Sequence, residues 1–129
     1  MKEKEEGLNL NLDFTKLKQI ASIDEDVIPV AVQNAETNEL IIVAYANKVA
    51  VEYTLKKKVA AFWSTSRNEL WVKGATSGDT LELVDVRVNC DQNSLVYRVV
   101  PKKANACHTN RPTCYYRKIK SNRMEFINE

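Results

Sequence analysis

Three cysteines and the sole histidine of this 129-residue chain fall in its last third. They stand as Asn89-Cys90-Asp91-Gln92-Asn93, then Ala106-Cys107-His108-Thr109, then Pro112-Thr113-Cys114. Thiols beside one histidine and a short acid and amide cluster suit a zinc ion that activates water, with room for a second, harder cation on oxygen ligands. Three thiols cannot all pair within one chain, and Met1 to Gly7 is charged where a signal peptide needs an apolar stretch. Both features point to a reducing compartment, where thiols serve as ligands, nucleophiles or core filler, and the expected location is the cytoplasm.

Each residue also has a plainer reading. A cysteine at the end of an apolar strand face is usually core filler, and for Cys90 alone that reading leads. Cys107 and Cys114 are separated by six residues, close enough to approach one ion but wider than common zinc motifs. Cys107 beside His108 fits a nucleophile and base, yet adjacent side chains in extended chain point apart, so the metal reading ranks higher. His108 is the most economical general base near an ion, and a surface histidine is the alternative. Trp63 and Trp71 read as core or interface aromatics. Lys102, Lys103, Arg111, Arg117, Lys118, Lys120 and Arg123 gather late against Glu125 and Glu129, which fits either phosphate contacts or a solvated surface.

The elements that must position these groups form one domain, since 129 residues with 44% hydrophobic and 28% charged side chains can bury a core without disulfides. The net charge of +2 does not suggest a nucleic-acid binder, and no apolar run is long enough to span a bilayer. Residues 1–12 read as a charged, frayed tail, 13–120 as the domain and 121–129 as a polar C-terminal tail. Asp13 is placed to cap a helix carrying Phe14, Leu17 and Ile20 on its packed face. Val27 to Gln33 and Leu40 to Ala46 predict a hairpin, after which Asn47 caps a helix with Val51 and Leu55 in register. Val59 to Ser64 and Glu69 to Lys73 predict a second hairpin, and Gly74 and Gly78 bracket a loop with Thr76 and Ser77 that lacks P-loop spacing. From Glu82, Val84, Val86, Val88 and Cys90 alternate with Asp85, Arg87, Asn89 and Asp91, so the Cys90 thiol and the oxygen ligands face opposite ways and serve separate centres. Ser94 to Val100 and Tyr115 to Ile119 are the remaining predicted strands. The fold class is α+β, a mainly antiparallel sheet with one or two short helices.

From about Ile28 to Tyr116 the chain resembles the phosphoribosyl-AMP cyclohydrolase family, enzymes of histidine biosynthesis that hydrolytically open the adenine ring of phosphoribosyl-AMP. The landmarks are Ala44-Tyr45-Ala46-Asn47, Trp63-Ser64-Thr65-Ser66-Arg67, Leu70-Trp71-Val72-Lys73-Gly74-Ala75-Thr76-Ser77-Gly78, Cys90-Asp91, Ala106-Cys107-His108-Thr109 and Thr113-Cys114. The resemblance implies an intertwined homodimer whose zinc takes Cys90 from one chain and Cys107 and Cys114 from the other. It implies proton relay by His108, with Lys73 as a second catalytic group. It further implies a nucleotide held by Trp63, Ser64, Ser66, Arg67, Trp71, Lys73, Gly74, Thr76, Ser77 and Gly78, and a magnesium site at positions 89, 91 and 93.

This sequence departs from that pattern on the same segments. Asn89 and Asn93 replace two acids of the magnesium motif and leave Asp91, which weakens the site. Thr65 replaces an arginine, Ala75 a glutamate and Asn110 a glycine. The resemblance therefore implies a zinc-dependent cyclohydrolase without the pyrophosphohydrolase domain sometimes fused to it. Two rivals are a divergent paralogue acting on another purine-like or heterocyclic substrate, and a non-catalytic zinc-stapled dimer that binds a nucleotide.

Overall fold

The computed structural model describes residues 3–103, 105–107 and 109–127. Its elements run α1 (Glu3–Glu6), α2 (Lys16–Ala21), β1 (Ile28–Asn34), β2 (Leu40–Ala46), α3 (Lys48–Lys57), β3 (Ala61–Ser64), β4 (Glu69–Val72), β5 (Leu81–Val88), β6 (Leu95–Pro101), β7 (Arg117–Lys120) and β8 (Arg123–Phe126). Four strands make one sheet in the order β2-β1-β6-β5, and β3-β4 and β7-β8 are separate hairpins. The pairing is antiparallel throughout except between β1 and β6, which are parallel. The α+β class holds, with three short helices among the described residues in place of the expected one or two.

Sequence chemistry explains the parts of the fold nearest the site. The β1–β2 hairpin forms where apolar, β-branched runs flank a polar turn, and its inward residues Val30, Val32 and Ile41 are at most 2% exposed. Asn47 caps α3 as expected, accepting from the Ala50 N–H at 2.9 Å, and its amide donates to Glu25 Oε1 at 2.7 Å. The buried stripe of α3 is Ala50 and Thr54, whereas Leu55 is largely exposed. A small residue and a hydroxyl let the helix sit close to β3. Thr54 Oγ1 donates to the Ala50 carbonyl at 2.8 Å and accepts from the Ala61 N–H at 2.9 Å. The Tyr97 hydroxyl donates to the Ala61 carbonyl at 3.2 Å, so this polar knot is satisfied inside the core. Phe62 lies between Trp71 and Tyr97, with ring centroids 5.3 and 5.6 Å away.

Strand β5 corrects the alternation expected for it. The register shifts between Leu83 and Asp85, which makes Val84 the extra residue of a bulge, and its side chain is 53% exposed. Leu81, Leu83, Val86 and Val88 then stand opposite Pro101, Val99, Tyr97 and Leu95. The strand stops at Val88, so Cys90 lies in the following turn and its direction is not set by strand parity.

Both ends of the chain also differ from expectation. Residues 3–9 lie against the C-terminal hairpin: Arg117 donates to the Gly7 and Lys4 carbonyls at 2.9 and 3.1 Å, and the Tyr116 hydroxyl donates to the Glu5 carbonyl. The polar tail expected from residue 121 contains β8, which pairs with β7. Asp13 binds the Thr15 N–H and hydroxyl rather than capping a longer helix, and Phe14 and Leu17 are 88% and 71% exposed. The apolar face expected to pack inward from α2 is uncovered in the single chain.

The Tyr97 knot yields a test of the core. Desolvation raises the Tyr97 pKa above the ordinary tyrosine value, against a smaller lowering by the Thr54 hydrogen bond. A raised folded-state value means that stability is full below the unfolded tyrosine value, about pH 10, and is lost as pH rises through the folded one. Tyr97→Phe should lower stability near neutral pH by about 1 kcal/mol while flattening the alkaline fall, as measured by thermal melts across pH.

Candidate functional site

Cys107 and Cys114 come together as their spacing allowed, with sulfurs 3.3 Å apart. The loop carrying them is fixed by its backbone. The Cys107 N–H donates to the Arg111 carbonyl at 2.8 Å and the Asn110 N–H to the Cys107 carbonyl at 2.9 Å. Thr113 Oγ1 donates to the Leu40 carbonyl at 2.6 Å and the Cys114 N–H to the Ile41 carbonyl at 2.9 Å, which rivets the loop to the start of β2. Cys107 is buried, and Thr109 Oγ1 lies 3.1 Å from its sulfur. Burial pushes the Cys114 thiol up to about 12, the hydrogen bond and charge of Cys107 add to the rise, and Lys73 opposes it. The Lys73 charge, just after β4, thus acts on Cys114. His108 lies outside the described residues.

Cys90 is not part of this pair. It is exposed in the turn between β5 and β6, and no group of three or more potential ligand residues capable of holding a metal occurs among the described residues. The sheet explains the separation. Cys114 is tied to β2 at one edge, and Cys90 follows β5 at the other. Three interstrand steps span roughly 14 Å. Zinc–thiolate bonds of about 2.3 Å cannot bridge that gap within one chain. Two converging thiols nevertheless suit zinc, which takes thiolate sulfur readily.

The oxygen cluster does not offer a hard cation a ready cage. Asn89 Oδ1 accepts from the Asn93 and Ser94 N–H groups, each at 3.0 Å, and Asn89 Nδ2 donates to Asn93 Oδ1 at 2.6 Å. Both side-chain oxygens are already engaged, which leaves the exposed Asp91 carboxylate.

The other candidates cluster on the β3–β4 hairpin and the loop after it. Ser64 and Ser66 hydroxyls lie 3.5 Å apart, and Arg67 Nε is 3.3 Å from Ser64 Oγ and 3.4 Å from Glu69 Oε1. Trp63 donates to Asn68 Oδ1 at 3.0 Å, and Trp71 packs on buried Phe62. Gly74 and Gly78 have φ of 80° and 83°, and the Gly78 N–H donates to the Gly74 carbonyl at 2.9 Å. Thr76 and Ser77 are exposed on that tight turn, and Lys103 holds it by donating to the Ser77 carbonyl at 3.2 Å. Sequence reasoning missed Lys16 and Gln19. From α2, Lys16 Nζ reaches Thr65 Oγ1 at 2.8 Å and Gln19 Nε2 reaches the Thr65 carbonyl at 2.8 Å, contacts across more than forty positions that no local signal marks.

Much of the late basic cluster is engaged within the chain. Lys103 pairs with Asp79 at 3.4 Å, Arg111 with Glu6 at 3.5 Å, and Lys118 with Glu125 at 3.3 Å. Arg111 also lies 4.0 Å over the Tyr116 ring. A cleft of about 710 Å³ lined by Lys4, Leu10, Arg117 and Met124 contains none of the candidate residues.

Comparison with known proteins places this geometry. The family model for phosphoribosyl-AMP cyclohydrolase matches residues 42–116. The phosphoribosyl-AMP cyclohydrolase of Archaeoglobus fulgidus is 42% identical over 101 residues, covering 78% of this chain and 93% of that protein. The chain belongs to the phosphoribosyl-AMP cyclohydrolase family. The enzyme of that name from Chlorobium phaeovibrioides is 37% identical over 113 residues, covering 88% of this chain and 82% of its own length. The histidine biosynthesis bifunctional protein HisIE of Thermus thermophilus is 46% identical over 96 residues, and the match covers 44% of its length.

Within the cyclohydrolase fold, two departures from the expected motif acquire a physical account. Asn110 has φ of 64°, a left-handed conformation that glycine adopts freely and asparagine tolerates better than most residues. Thr65 is buried and its hydroxyl accepts from Lys16 Nζ at 2.8 Å, so the side chain is anchored to α2. Ala75 is exposed on the glycine-bracketed turn, and nothing in the structure explains its exchange for an acid.

The two glycines of that turn should respond unequally to substitution. A Cβ at Gly74 would lie 2.3 Å from the Asp79 carbonyl carbon, whereas at Gly78 its nearest contact would be Lys103 Nζ at 3.9 Å. Gly74→Ala should therefore destabilise by roughly 2 kcal/mol or more and Gly78→Ala by about 1 kcal/mol, as read from denaturant midpoints.

Proposed function

We propose that this protein hydrolytically opens the adenine ring of phosphoribosyl-AMP in histidine biosynthesis, as a zinc-dependent homodimer. The observation that carries the reading is the similarity along 93% of the Archaeoglobus fulgidus cyclohydrolase. Cys107 and Cys114 would hold the zinc with Cys90 of the partner subunit. This arrangement accounts for a converging pair on one sheet edge and an exposed third thiol on the other. Bound zinc supplies the Lewis acidity that makes water nucleophilic near neutral pH.

The remaining work falls to the chain's own side chains. His108, the chain's only imidazole and adjacent in sequence to Cys107, takes the proton from the attacking water and returns it to the ring nitrogen that leaves. The Lys73 charge favours the thiolate form of Cys114. Arg67 and the Ser64 and Ser66 hydroxyls form a polar cluster suited to the substrate phosphate, and Lys16 contacts the intervening Thr65. Lys16 has no carboxylate partner among the described residues and keeps donors free for an anion. Trp63 and Trp71 flank the same hairpin, and the Gly74–Gly78 turn brings Thr76 and Ser77 alongside it.

A second reading, a paralogue acting on a different heterocycle, is favoured by Thr65 and Ala75 on the substrate-binding segments. Turnover separates the two, because zinc-loaded protein should consume phosphoribosyl-AMP under the first reading and leave it intact under the second. His108→Ala should lower kcat by about 10²-fold or more with zinc retained, and unchanged turnover would reject the proton-relay role. Cys107→Ser should lose zinc, measured by metal analysis after desalting. Lys16→Met should raise KM about tenfold at nearly constant kcat, with Lys16→Arg restoring it, and an unmoved KM would remove Lys16 from the phosphate site.

A further inference from the structure

The turn from Asn89 to Ser94 is closed by side-chain amides. Asn89 Oδ1 uses its acceptor capacity on two backbone N–H groups at 3.0 Å, and its NH₂ reaches Asn93 Oδ1 at 2.6 Å. The Asn89 N–H donates to the Ser94 carbonyl at 3.3 Å and the Gln92 N–H to the Asn89 carbonyl at 3.1 Å, with Gln92 at φ 53° completing the reversal. Cys90 sits inside this ring of bonds, and all five residues from Asn89 to Asn93 are exposed.

Acids at positions 89 and 93 would behave differently. A carboxylate at 89 could still accept the two N–H groups, but it has no donor to offer position 93. Two carboxylates at hydrogen-bond separation repel each other, and a hard divalent cation on their oxygens is the usual compensation. In this chain the Asn89 NH₂ occupies that bridging position and carries no charge. Magnesium prefers near-octahedral oxygen ligation through one or two carboxylates and sheds its waters reluctantly. One exposed carboxylate and two engaged amide oxygens give it little.

We propose that the Asn89–Asn93 side-chain hydrogen bond replaces a divalent cation in this chain: it closes the β5–β6 turn and holds Cys90 in place without magnesium. Insofar as Cys90 serves a zinc ion, this rests on the functional reading above. The amide closure itself does not.

The test uses the purified zinc-loaded protein, Mn²⁺ as a spectroscopic probe and Mg²⁺ in thermal melts. The wild type should leave the free Mn²⁺ resonance undiminished and its Tm unmoved by magnesium. Asn89→Asp combined with Asn93→Asp should melt lower without the cation, regain roughly 4 °C on adding Mg²⁺, and take up Mn²⁺. Asn93→Ala, which removes the amide acceptor without adding charge, should lower Tm with no rescue by magnesium. Mn²⁺ uptake by the wild type that is lost in Asn89→Ala would overturn the proposal, and so would a doubly acidic variant as stable without magnesium as the wild type. Where the doubly acidic variant fails to fold, the wild-type Mn²⁺ titration decides alone. None of these measurements requires turnover, so an inactive wild type would count against the cyclohydrolase reading and leave this one standing.

Discussion

Two thiols held 3.3 Å apart in a half-buried loop are a poor place for negative charge. Desolvation and the neighbouring sulfur together push the Cys114 thiol up to about 12, and the Lys73 charge offsets only part of that. The pairing is nevertheless imposed, because Thr113 and Cys114 are bonded to the Leu40 and Ile41 carbonyls and the loop cannot spread without breaking them. A soft divalent cation reverses the balance by stabilising both thiolates at once, and its affinity then depends on pH because protons must leave. Zinc binding at this pair would therefore have to displace the Cys114 proton.

The sheet order turns this local constraint into one on assembly. With β2 and β5 at opposite edges, a ligand fixed near the start of β2 cannot meet one that follows β5 in the same chain. Exposure points the same way. Cys90 stands on an exposed turn, and Phe14, just before α2, and Leu17 within it lie uncovered. Lys16 and Gln19, on the same short helix, tie it to Thr65 in the hairpin that gathers Ser64, Ser66 and Arg67. The proposed phosphate-binding cluster and the thiol pair accordingly rest on different elements, with Lys73 just after β4 acting on Cys114.

The sequence made most of the elements legible where local chemistry dominates. Alternating β-branched runs marked β1, β2 and β6, Asn47 marked the start of α3, and the two thiols in one loop were found to converge. It misled where tertiary contacts decide. The Val84 bulge changes strand phase to keep Leu81 and Val86 on the core side, an outcome set by Tyr97 and Val99 across the sheet. The N-terminal residues read as a tail because their carbonyls accept from Arg117, far away in sequence. Composition likewise does not reveal that the Asn89 amide donates to Asn93 Oδ1.

The central claim is that one zinc site needs sulfurs from two chains, and complementation tests it most directly. Cys90→Ser and Cys114→Ser proteins each lack a ligand for every site, but a mixed dimer of the two contains one site with all three sulfurs. Refolded together with zinc, they should regain metal and turnover that neither variant shows alone. A mixture that forms dimers yet stays metal-free and inactive would contradict the account.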